Sequence, residues 1–423
     1  MATCRNSAAA GKLAEVTVAE DGLGTLDPAW LRAKAGLKWS AAAEAGDGVI
    51  PCWVADMDFP APAPVREALS GLLEGADLGY PAGDQEAALE ERWAPRMAAR
   101  YAWSPRPGQL RVFTDVVQAV QALLHVGTSR GDGVLLLTPS YPPLLEALGE
   151  MGRRLLAVPA VEVPEGTGAG KRWEFDLDAA RHLAAGARAL LLVNPHNPTG
   201  RVLERSELEV LAELAERWDL LVISDEIHAD LALTGRAHTP FASLGPSLEA
   251  RTVTLYSASK SFNLGGMRCA VAHLGHAGAR AGLGELPSHL LGSVSMAAVA
   301  ATLAAWAPAG DAWLERCLAR LRANREALAA WLQGSGGAAG VRGPLPEGTY
   351  LAWLDFRQAG LGDDPARWLV GNARVMLSPG PSFGPGGPGF ARLNFATAPG
   401  VLGEILARVS GTLGGRGQQP QGG

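Results

Sequence analysis

The chain has 423 residues, of which 48% are hydrophobic and 19% are charged, and its formal net charge is -6. This hydrophobic content excludes an intrinsically disordered chain, and the acidic balance argues against a nucleic-acid-binding protein, which would present a basic face. The length allows two or three domains, or one large domain and one small one.

The N-terminal residues 1–20 lack the apolar core of a signal peptide, because they contain only scattered alanines among charged residues. We predict that this N-terminus is disordered. The four cysteines form no C-x-x-C pair and do not cluster with histidine, which argues against a metal site and a disulfide framework. We therefore expect a cytoplasmic location. The longest uncharged stretch, Leu290–Gly310, is too weakly apolar to predict contact with a membrane.

Short apolar runs alternate with helix-period segments in the middle of the chain. Four runs have the length of buried strands: VLLL at 134–137, ALLLV at 189–193, LLVI at 220–223 and VTLY at 253–256. Between them, the segment Glu204–Trp218 places leucines and Trp218 at spacings of three and four, as on one face of a helix. This alternation predicts an α/β protein with a mainly parallel, helix-covered sheet.

The polar residues that follow these strands predict one composite site. Each run is followed by candidate site residues: Tyr141 after the first, Asn197 after the second, Asp225 and His228 after the third, Ser257 and Lys260 after the fourth. Ligands bind where the carboxyl ends of parallel strands meet at one edge of a sheet. We therefore expect an aromatic ring, an amide, a carboxylate and an amine to converge there.

In chain order, these motifs resemble those of pyridoxal-phosphate (PLP) enzymes. The matching motifs are NPHNPTG at 194–200, DEIH at 225–228 and SASK at 257–260, followed by Arg268 and Arg392. The resemblance is to the class I/II aminotransferases, whose fold is that of aspartate aminotransferase. It implies the α/β fold called PLP-dependent transferase fold type I, with a large domain around a mainly parallel sheet and a smaller α+β domain.

The resemblance also divides the chain. It covers residues 21–410 and implies the N-terminal part of the small domain at 21–65, the large PLP-binding domain at 66–310 and the C-terminal small domain at 311–410. Outside it we predict a disordered N-terminus at 1–20 and a disordered tail at 411–423, which has no apolar side chain to bury after Leu413. The sequence pattern supports a domain boundary near residue 311, because a long amphipathic helical segment begins there and short strand-like segments follow it.

A narrower resemblance concerns the reaction. PCWVADMDFP at 51–60, DEIH at 225–228 and KSFNLGG at 260–266 are similar to the MalY/PatB group of carbon–sulfur lyases, the cystathionine β-lyase type. It implies cleavage of cystathionine or a related S-substituted cysteine to a thiol, pyruvate and ammonia. The same catalytic residues would also serve a PLP-dependent aminotransferase, and a regulatory protein with this fold is a third possibility.

The resemblance assigns the catalytic roles to Lys260 and Asp225. Only an amine can bind the cofactor aldehyde covalently, and the freed Lys260 amine would then remove the substrate Cα proton. Asp225 would keep the pyridine nitrogen protonated. Asn197 would hydrogen-bond the ring oxygen and Tyr141 would stack on the ring. His228 is either a further cofactor contact or a structural hydrogen-bonding residue.

The cofactor phosphate is assigned to backbone N–H groups at a helix N-terminus, those of Val116 and Val117, together with Ser257 and Arg268. Asp115 stands at this turn, where the family commonly has glycine, and a carboxylate near a phosphate is unfavourable unless it points away. By the same resemblance, Tyr80 reaches the phosphate of a neighbouring subunit, which implies a homodimer.

The amino-acid substrate is assigned to Arg392, which would bind its carboxylate in a bidentate pair beside Asn197. The loop at 53–59 adds Trp53 and Ala55 as substrate contacts. Asp56 and Asp58 lie on the same loop. We interpret them as part of a positioning loop, because Lys260 already fills the role of the base.

Overall fold

The structure is a computed structural model that describes residues 23–76, 78–80, 83–164, 171–287 and 289–416. The strands, in chain order, are β1 (Ile50–Pro51), β2 (Leu110–Phe113), β3 (Gly133–Thr138), β4 (Arg154–Pro164), β5 (Lys171–Phe175), β6 (Ala187–Val193), β7 (Leu221–Asp225), β8 (Thr252–Tyr256), β9 (Ala270–Leu274), β10 (Leu351–Asp355), β11 (Val375–Met376), β12 (Ser378–Pro379) and β13 (Phe390–Asn394).

The α-helices cover both faces of the main sheet and build the C-terminal unit. They are α1 (Pro28–Arg32), α2 (Leu37–Ala45), α3 (Ala63–Gly75), α4 (Gln85–Tyr101), α5 (Val116–Gly127), α6 (Pro142–Glu150), α7 (Leu177–Leu183), α8 (Arg205–Arg217), α9 (Pro246–Glu249), α10 (Ala258–Ser261), α11 (Ala277–Glu285), α12 (Met296–Ala305), α13 (Pro308–Gln333), α14 (Ser335–Ala338), α15 (Pro365–Asn372) and α16 (Pro399–Arg416). Among the described residues, no helix combines the length and the apolar character needed to cross a membrane.

The main sheet has eight strands in the order β2-β9-β8-β7-β6-β3-β4-β5. The strands β3, β4, β6, β7 and β8 run parallel, whereas β2, β9 and β5 pair antiparallel with their neighbours. The four apolar runs lie in β3, β6, β7 and β8, so the mainly parallel sheet is confirmed. Their carboxyl ends meet at one edge, which is where the site lies.

The strands of this sheet are apolar on both faces because helices cover both. Along β3, Val134 and Leu136 join a core cluster with α5 and α11, while Leu135 and Leu137 join the cluster on the opposite face with α7 and α8. All four side chains are almost completely buried. Alternating strand positions therefore enter different cores, which explains why these strands read as continuous apolar runs.

A second, smaller unit is built from segments at both ends of the described chain. The antiparallel sheet β10-β13-β12 comes from the C-terminal part. The N-terminal strand β1 pairs in parallel with β11, with Ile50 opposite Val375. This pairing supports assigning residues 21–65 to the small domain, although the exact division of the chain stays a prediction.

Two sequence predictions need correction, and one lies outside the described residues. The tail predicted from residue 411 continues α16 through Arg416, because Leu413 buries its side chain against the second unit. Trp218 does not share the buried face of α8, since it follows that helix as the C-cap and is 39% exposed. The predicted disorder of 1–20 falls on residues that are not described.

Candidate active site

A cleft opens at the carboxyl ends of β6, β7 and β8, next to the N-terminus of α5. Its lining contains most of the residues selected from the sequence: Ala55, Val116, Val117, Tyr141, Asn197, Asp225, His228, Ser257, Lys260 and Arg268. Asp115, Val193, Ile227, Ser259 and Gly265 complete the lining. The structure therefore brings the predicted amine, carboxylate, amide and aromatic ring into one space.

Lys260 presents the amine of the cleft. It lies on the short helix α10, directly after β8, and its Nζ donates to the Ala55 carbonyl at 2.8 Å. Burial lowers the pKa of Lys260, and the nearby carboxylates of Asp56 and Asp225 oppose that shift only in part. A buried amine with a lowered pKa is more readily neutral, which is the form that acts as a nucleophile or a base.

Asp225 presents the carboxylate of the cleft from the last position of β7. Its Oδ1 accepts the backbone N–H of Ile227 at 3.2 Å. Burial raises the pKa of Asp225 to about 7, although the Ile227 N–H and the Lys260 charge act in the opposite direction. Such a carboxylate has a high affinity for a proton, so a cationic ring nitrogen beside it would supply the missing charge.

Glu226 follows Asp225 in the sequence but faces away from the cleft. Its carboxylate accepts hydrogen bonds from Ser224 Oγ at 2.8 Å, from the Phe241 N–H at 3.0 Å and from His238 Nε2 at 2.8 Å. These three donors satisfy the side chain inside the protein. Of the two adjacent acids, only Asp225 is therefore available to a ligand.

Arg392 lies in the middle of β13 and is 4% exposed. Its Nη1 donates to Asn197 Oδ1 at 2.8 Å, and its Nη2 donates to the Trp53 carbonyl at 2.8 Å and to Ser378 Oγ at 3.1 Å. Burial lowers the pKa of Arg392 to about 10, which still leaves it positively charged near neutral pH. Its Nε is buried and has no hydrogen-bond partner among the described residues.

Trp53 takes part in this site through its backbone. Its carbonyl accepts from Arg392, while its indole Nε1 donates to the Lys38 carbonyl at 3.4 Å. The sequence suggested Trp53 as a substrate contact without distinguishing the side chain from the main chain. The structure places the backbone at the arginine and directs the indole N–H elsewhere.

The side chains of His228 and Tyr141 line the cleft. The Nδ1 atom of His228 is buried and has no hydrogen-bond partner within the described part of the chain. Burial, together with the charges of Lys260 and Arg392, holds the pKa of His228 well below its usual range, so the imidazole is neutral. Burial raises the pKa of the Tyr141 hydroxyl, which therefore stays protonated.

The loop at 53–59 is fixed against the cleft by two asparagines that the sequence interpretation did not single out. Asn263 Nδ2 donates to the carbonyls of Met57 at 3.0 Å and Phe59 at 2.8 Å, and Asn394 Nδ2 donates to those of Val54 and Asp56 at 2.7 Å each. Asn263 lies within the KSFNLGG motif, which offered a signal. Nothing in the local sequence marks Asn394.

Tyr350 is a further residue that the sequence did not reveal. Its hydroxyl donates to the Ala55 carbonyl at 2.8 Å, the same oxygen that accepts from Lys260. The ring of Tyr350 meets the ring of His228 edge-on, with centroids 6.1 Å apart. Tyr350 therefore supports both the loop and the lysine from the second unit.

The N-terminus of α5 forms the opposite end of the cleft. The first N–H groups of a helix have no partners within the helix, so those of Val116 and Val117 are suited to bind an anion. Ser257 Oγ donates to the Cys269 carbonyl at 2.6 Å and accepts the Ser259 N–H at 3.1 Å. Asp115 is one of the lining residues and its carboxylate forms an ion pair with Arg268, so it does not point away from the proposed phosphate-binding groups.

Trp53 and Arg392 are not among the residues that line this cleft, although Arg392 donates to Asn197 in its lining, and Tyr80 does not line it either. The Tyr80 side chain is fully exposed, and the cleft lining within its own chain does not include it. The described residues also contain no group of three His, Cys, Asp or Glu side chains that could hold a metal ion.

The chain is similar to known proteins over most of its length. The family model for aminotransferase class I and II matches residues 54–409. The chain is 33% identical to cystathionine β-lyase PatB of Bacillus subtilis, covering 86% of this chain and 92% of that protein. It is 30% identical to a cystathionine β-lyase of Corynebacterium glutamicum, covering 89% of this chain and 96% of that protein.

Solved structures agree with these matches. The chain superimposes on cystalysin from Treponema denticola, whose crystal structure contains a pyridoxal 5'-phosphate cofactor, with a TM-score of 0.83 and 28% identity. The superposition covers 90% of this chain and 96% of cystalysin. The predicted fold class and the resemblance to the PatB group are thereby confirmed, and the chain belongs to the aminotransferase class I and II family.

Proposed function

We propose that this protein is a PLP-dependent carbon–sulfur β-lyase that cleaves cystathionine or a related S-substituted cysteine to a thiol, pyruvate and ammonia. The relatives named cystathionine β-lyase match nearly the whole chain, the cleft contains an amine and a carboxylate, and the buried guanidinium of Arg392 donates to Asn197 in the cleft lining. These groups belong to PLP chemistry on an amino acid.

The observation that carries the proposal is the hydrogen bond between Lys260 Nζ and the Ala55 carbonyl, at 2.8 Å. Ala55 belongs to the loop whose sequence favoured a lyase over an aminotransferase. Two asparagines and Tyr350 hold that loop against the amine. The part of the chain that distinguishes the two reactions is therefore in direct contact with the proposed catalytic base.

The side chains of the cleft fit pyridoxal phosphate at each of its functional groups. Lys260 would hold the aldehyde carbon, Asp225 the ring nitrogen, Asn197 the ring oxygen and Tyr141 a face of the ring. The unpartnered Nδ1 of His228 offers a further polar contact. Pyridoxal phosphate supplies an electron-withdrawing ring that makes the substrate Cα proton acidic.

Lys260 is the proposed general base. Its lowered pKa favours the neutral amine, which takes the Cα proton at Nζ. The resulting Lys260 ammonium would then supply a proton to the departing thiolate. The buried carboxylate of Asp225 would hold a proton at the ring nitrogen of the cofactor.

Arg392 is the proposed binding residue for the substrate carboxylate. Asn197, Ser378 and the Trp53 carbonyl fix its guanidinium plane in advance, so little side-chain entropy is lost on binding. A fixed carboxylate in turn fixes Cα near Lys260. Orienting a reactant in this way makes a large contribution to rate.

The phosphate of the cofactor is assigned to the Val116 and Val117 N–H groups, Ser257 and Arg268, and to Tyr80 of a second copy of this chain. The exposure of Tyr80 outside its own cleft supports the homodimer. The test is complementation at limiting cofactor: a mixture of Y80F and K260A chains should be more active per Y80F chain than Y80F alone, because a mixed dimer contains one intact site. No such gain would count against the homodimeric site.

A cytoplasmic location belongs to the same proposal. Cys52, Cys269 and Cys317 are buried and carry no disulfide, as expected for a protein of a reducing compartment. Fractionation of cells that express the tagged chain would test this location.

The reaction itself is tested by measuring pyruvate from L-cystathionine without an added keto acid. A lyase releases one pyruvate for each thiol, because the amino group leaves as ammonia. An aminotransferase would need a keto acid to receive the amino group. Activity that depends strictly on a keto acid would therefore reject the lyase and favour the aminotransferase.

A further inference from the structure

The phosphate end of the cleft contains a carboxylate that the proposed function does not use. Asp115 Oδ1 accepts the Gln118 N–H at 2.9 Å, and its Oδ2 forms an ion pair with Arg268. The carboxylate thus engages the first turn of α5 and the guanidinium, which are the two features assigned to the cofactor phosphate.

We infer that Asp115 competes with the cofactor phosphate for Arg268 and the N-terminus of α5, and so weakens cofactor binding. The inference rests on the proposed function, because it requires the phosphate to lie at this end of the cleft. In the cofactor-free protein, the Asp115 carboxylate is already bound to Arg268 and to the first turn of α5. A bound phosphate has to share Arg268 with it.

The balance of charge in the cleft supports competition. The charged residues that line the cleft are two cations, Lys260 and Arg268, and two anions, Asp115 and Asp225. Lys260 and Asp225 lie at the reactive end, so Asp115 offsets the cation assigned to the phosphate. A doubly charged phosphate beside a carboxylate is repelled by it. Because the Arg268 side chain is 61% exposed, water screens these charges and limits the effect.

The charge of Asp115 can be separated from its role at the start of the helix. An uncharged oxygen caps a helix about as well as a carboxylate does. Asp115→Asn keeps an oxygen that can accept the Gln118 N–H, while it removes the charge that pairs with Arg268. Asp115→Ser is a second variant that retains a capping oxygen. Any gain in phosphate binding by both variants reports on the charge.

The experiment titrates the cofactor-free, full-length chain with pyridoxal 5'-phosphate and, separately, with pyridoxal, which lacks the phosphate. The absorbance of the lysine-bound ligand gives both dissociation constants. We expect D115N to bind pyridoxal 5'-phosphate about fivefold more tightly than the wild type, a change of about 1 kcal/mol. Binding of pyridoxal should not change.

Asp176 provides the matched control. It caps α7 through a hydrogen bond from Ala179 N at 2.8 Å and is not among the residues that line the cleft. D176N should therefore leave both dissociation constants unchanged. Its role is to show that loss of a capping charge elsewhere has no effect on the cofactor.

A double-mutant cycle with Arg268→Gln adds an independent measurement. When Asp115 no longer shares the guanidinium, Arg268 can act on the phosphate alone. R268Q should therefore weaken binding of pyridoxal 5'-phosphate more in the D115N background than in the wild type.

The outcomes are distinct. Equal or weaker binding of pyridoxal 5'-phosphate by D115N and D115S overturns the inference, and so does an equal gain for pyridoxal. If the wild type binds pyridoxal 5'-phosphate and D115N binds it no better, only the inference fails. If the wild type binds neither ligand through Lys260, the proposed function fails as well.

Discussion

The two ends of the cleft are built differently. At the reactive end, Asp225, Asn197 and Arg392 are buried, and protein groups fix Asn197 and Arg392 to each other at 2.8 Å. At the phosphate end, the principal ion pair joins a side chain that is 61% exposed to one that is 24% exposed. Buried charges interact strongly and tolerate little change, whereas exposed pairs contribute little. We therefore expect substitutions to have large effects at the first end and graded effects at the second.

The largest effect is expected for Lys260→Ala. Loss of the amine removes both the covalent attachment and the proposed base, so the visible band of the bound cofactor should disappear and activity should fall by more than about 10⁴-fold. Absorbance spectra measure the cofactor band, and pyruvate assays measure the activity. Lys171 is a matched control, because it pairs with Glu162 and its side chain is 60% exposed. A persistent band in K260A would refute the assignment.

Asp225→Ala should cost about 10³-fold in kcat while some cofactor remains bound. The reason is that the ring nitrogen loses the carboxylate that keeps it protonated, whereas Lys260 can still attach the aldehyde. Steady-state kinetics with saturating cofactor measures the loss. A variant with normal kcat would show that the reaction does not use this carboxylate.

Arg392→Lys should raise KM for the amino-acid substrate by about 10- to 100-fold, because lysine cannot form the bidentate pair. The effect on kcat should be smaller. Arg357→Lys is the control: Arg357 also belongs to the second unit and lies 4.8 Å from the centroid of the Phe390 ring, but its side chain is 62% exposed. Equal changes in KM for both variants would contradict a specific role.

The buried acid also predicts a pH dependence of stability. The folded-state pKa of Asp225 is raised to about 7, above its usual value of 3.8, so its protonated form is favoured in the folded protein. Its contribution to stability is complete below about pH 4 and is lost as the pH rises through about 7. The stability of the cofactor-free wild type relative to D225N should fall by about 1.4 kcal/mol per pH unit in this window. Urea unfolding at several pH values measures the difference, and a difference that does not vary with pH would contradict the burial argument.

The smallest effect is expected at the phosphate end. Ser257→Ala removes the cap of α10 and the hydrogen bond to the Cys269 carbonyl, so we expect a loss of about 1 kcal/mol in unfolding free energy. Cofactor affinity should fall only severalfold. If S257A lost the cofactor as completely as K260A, the expected difference in sensitivity between the two ends of the cleft would be contradicted.

The sequence predicted the strands of the main sheet and most of the residues that line the cleft, because both depend on local patterns. Fully buried parallel strands read as apolar runs, and residues such as Asp225 and Lys260 stand directly after them. Contacts between segments that are far apart in the sequence were harder to predict. Asn394, Tyr350 and the Ser378 hydroxyl reach the site from the second unit, and no local pattern announces such packing. For Asp115, the conflict with a phosphate was visible in the sequence, but its ion pair with Arg268 was not.

The pairing of β1 with β11 has a consequence for how the protein is made. Ser378 Oγ donates to the Trp53 carbonyl across a separation of 325 positions, in the same region where Ile50 lies opposite Val375. During synthesis on the ribosome, the N-terminal segment emerges long before its partners exist, whereas the large sheet can assemble from segments already released. The loop that touches the catalytic lysine would thus be locked in place last, and a chain halted before residue 375 would carry an unfinished active site.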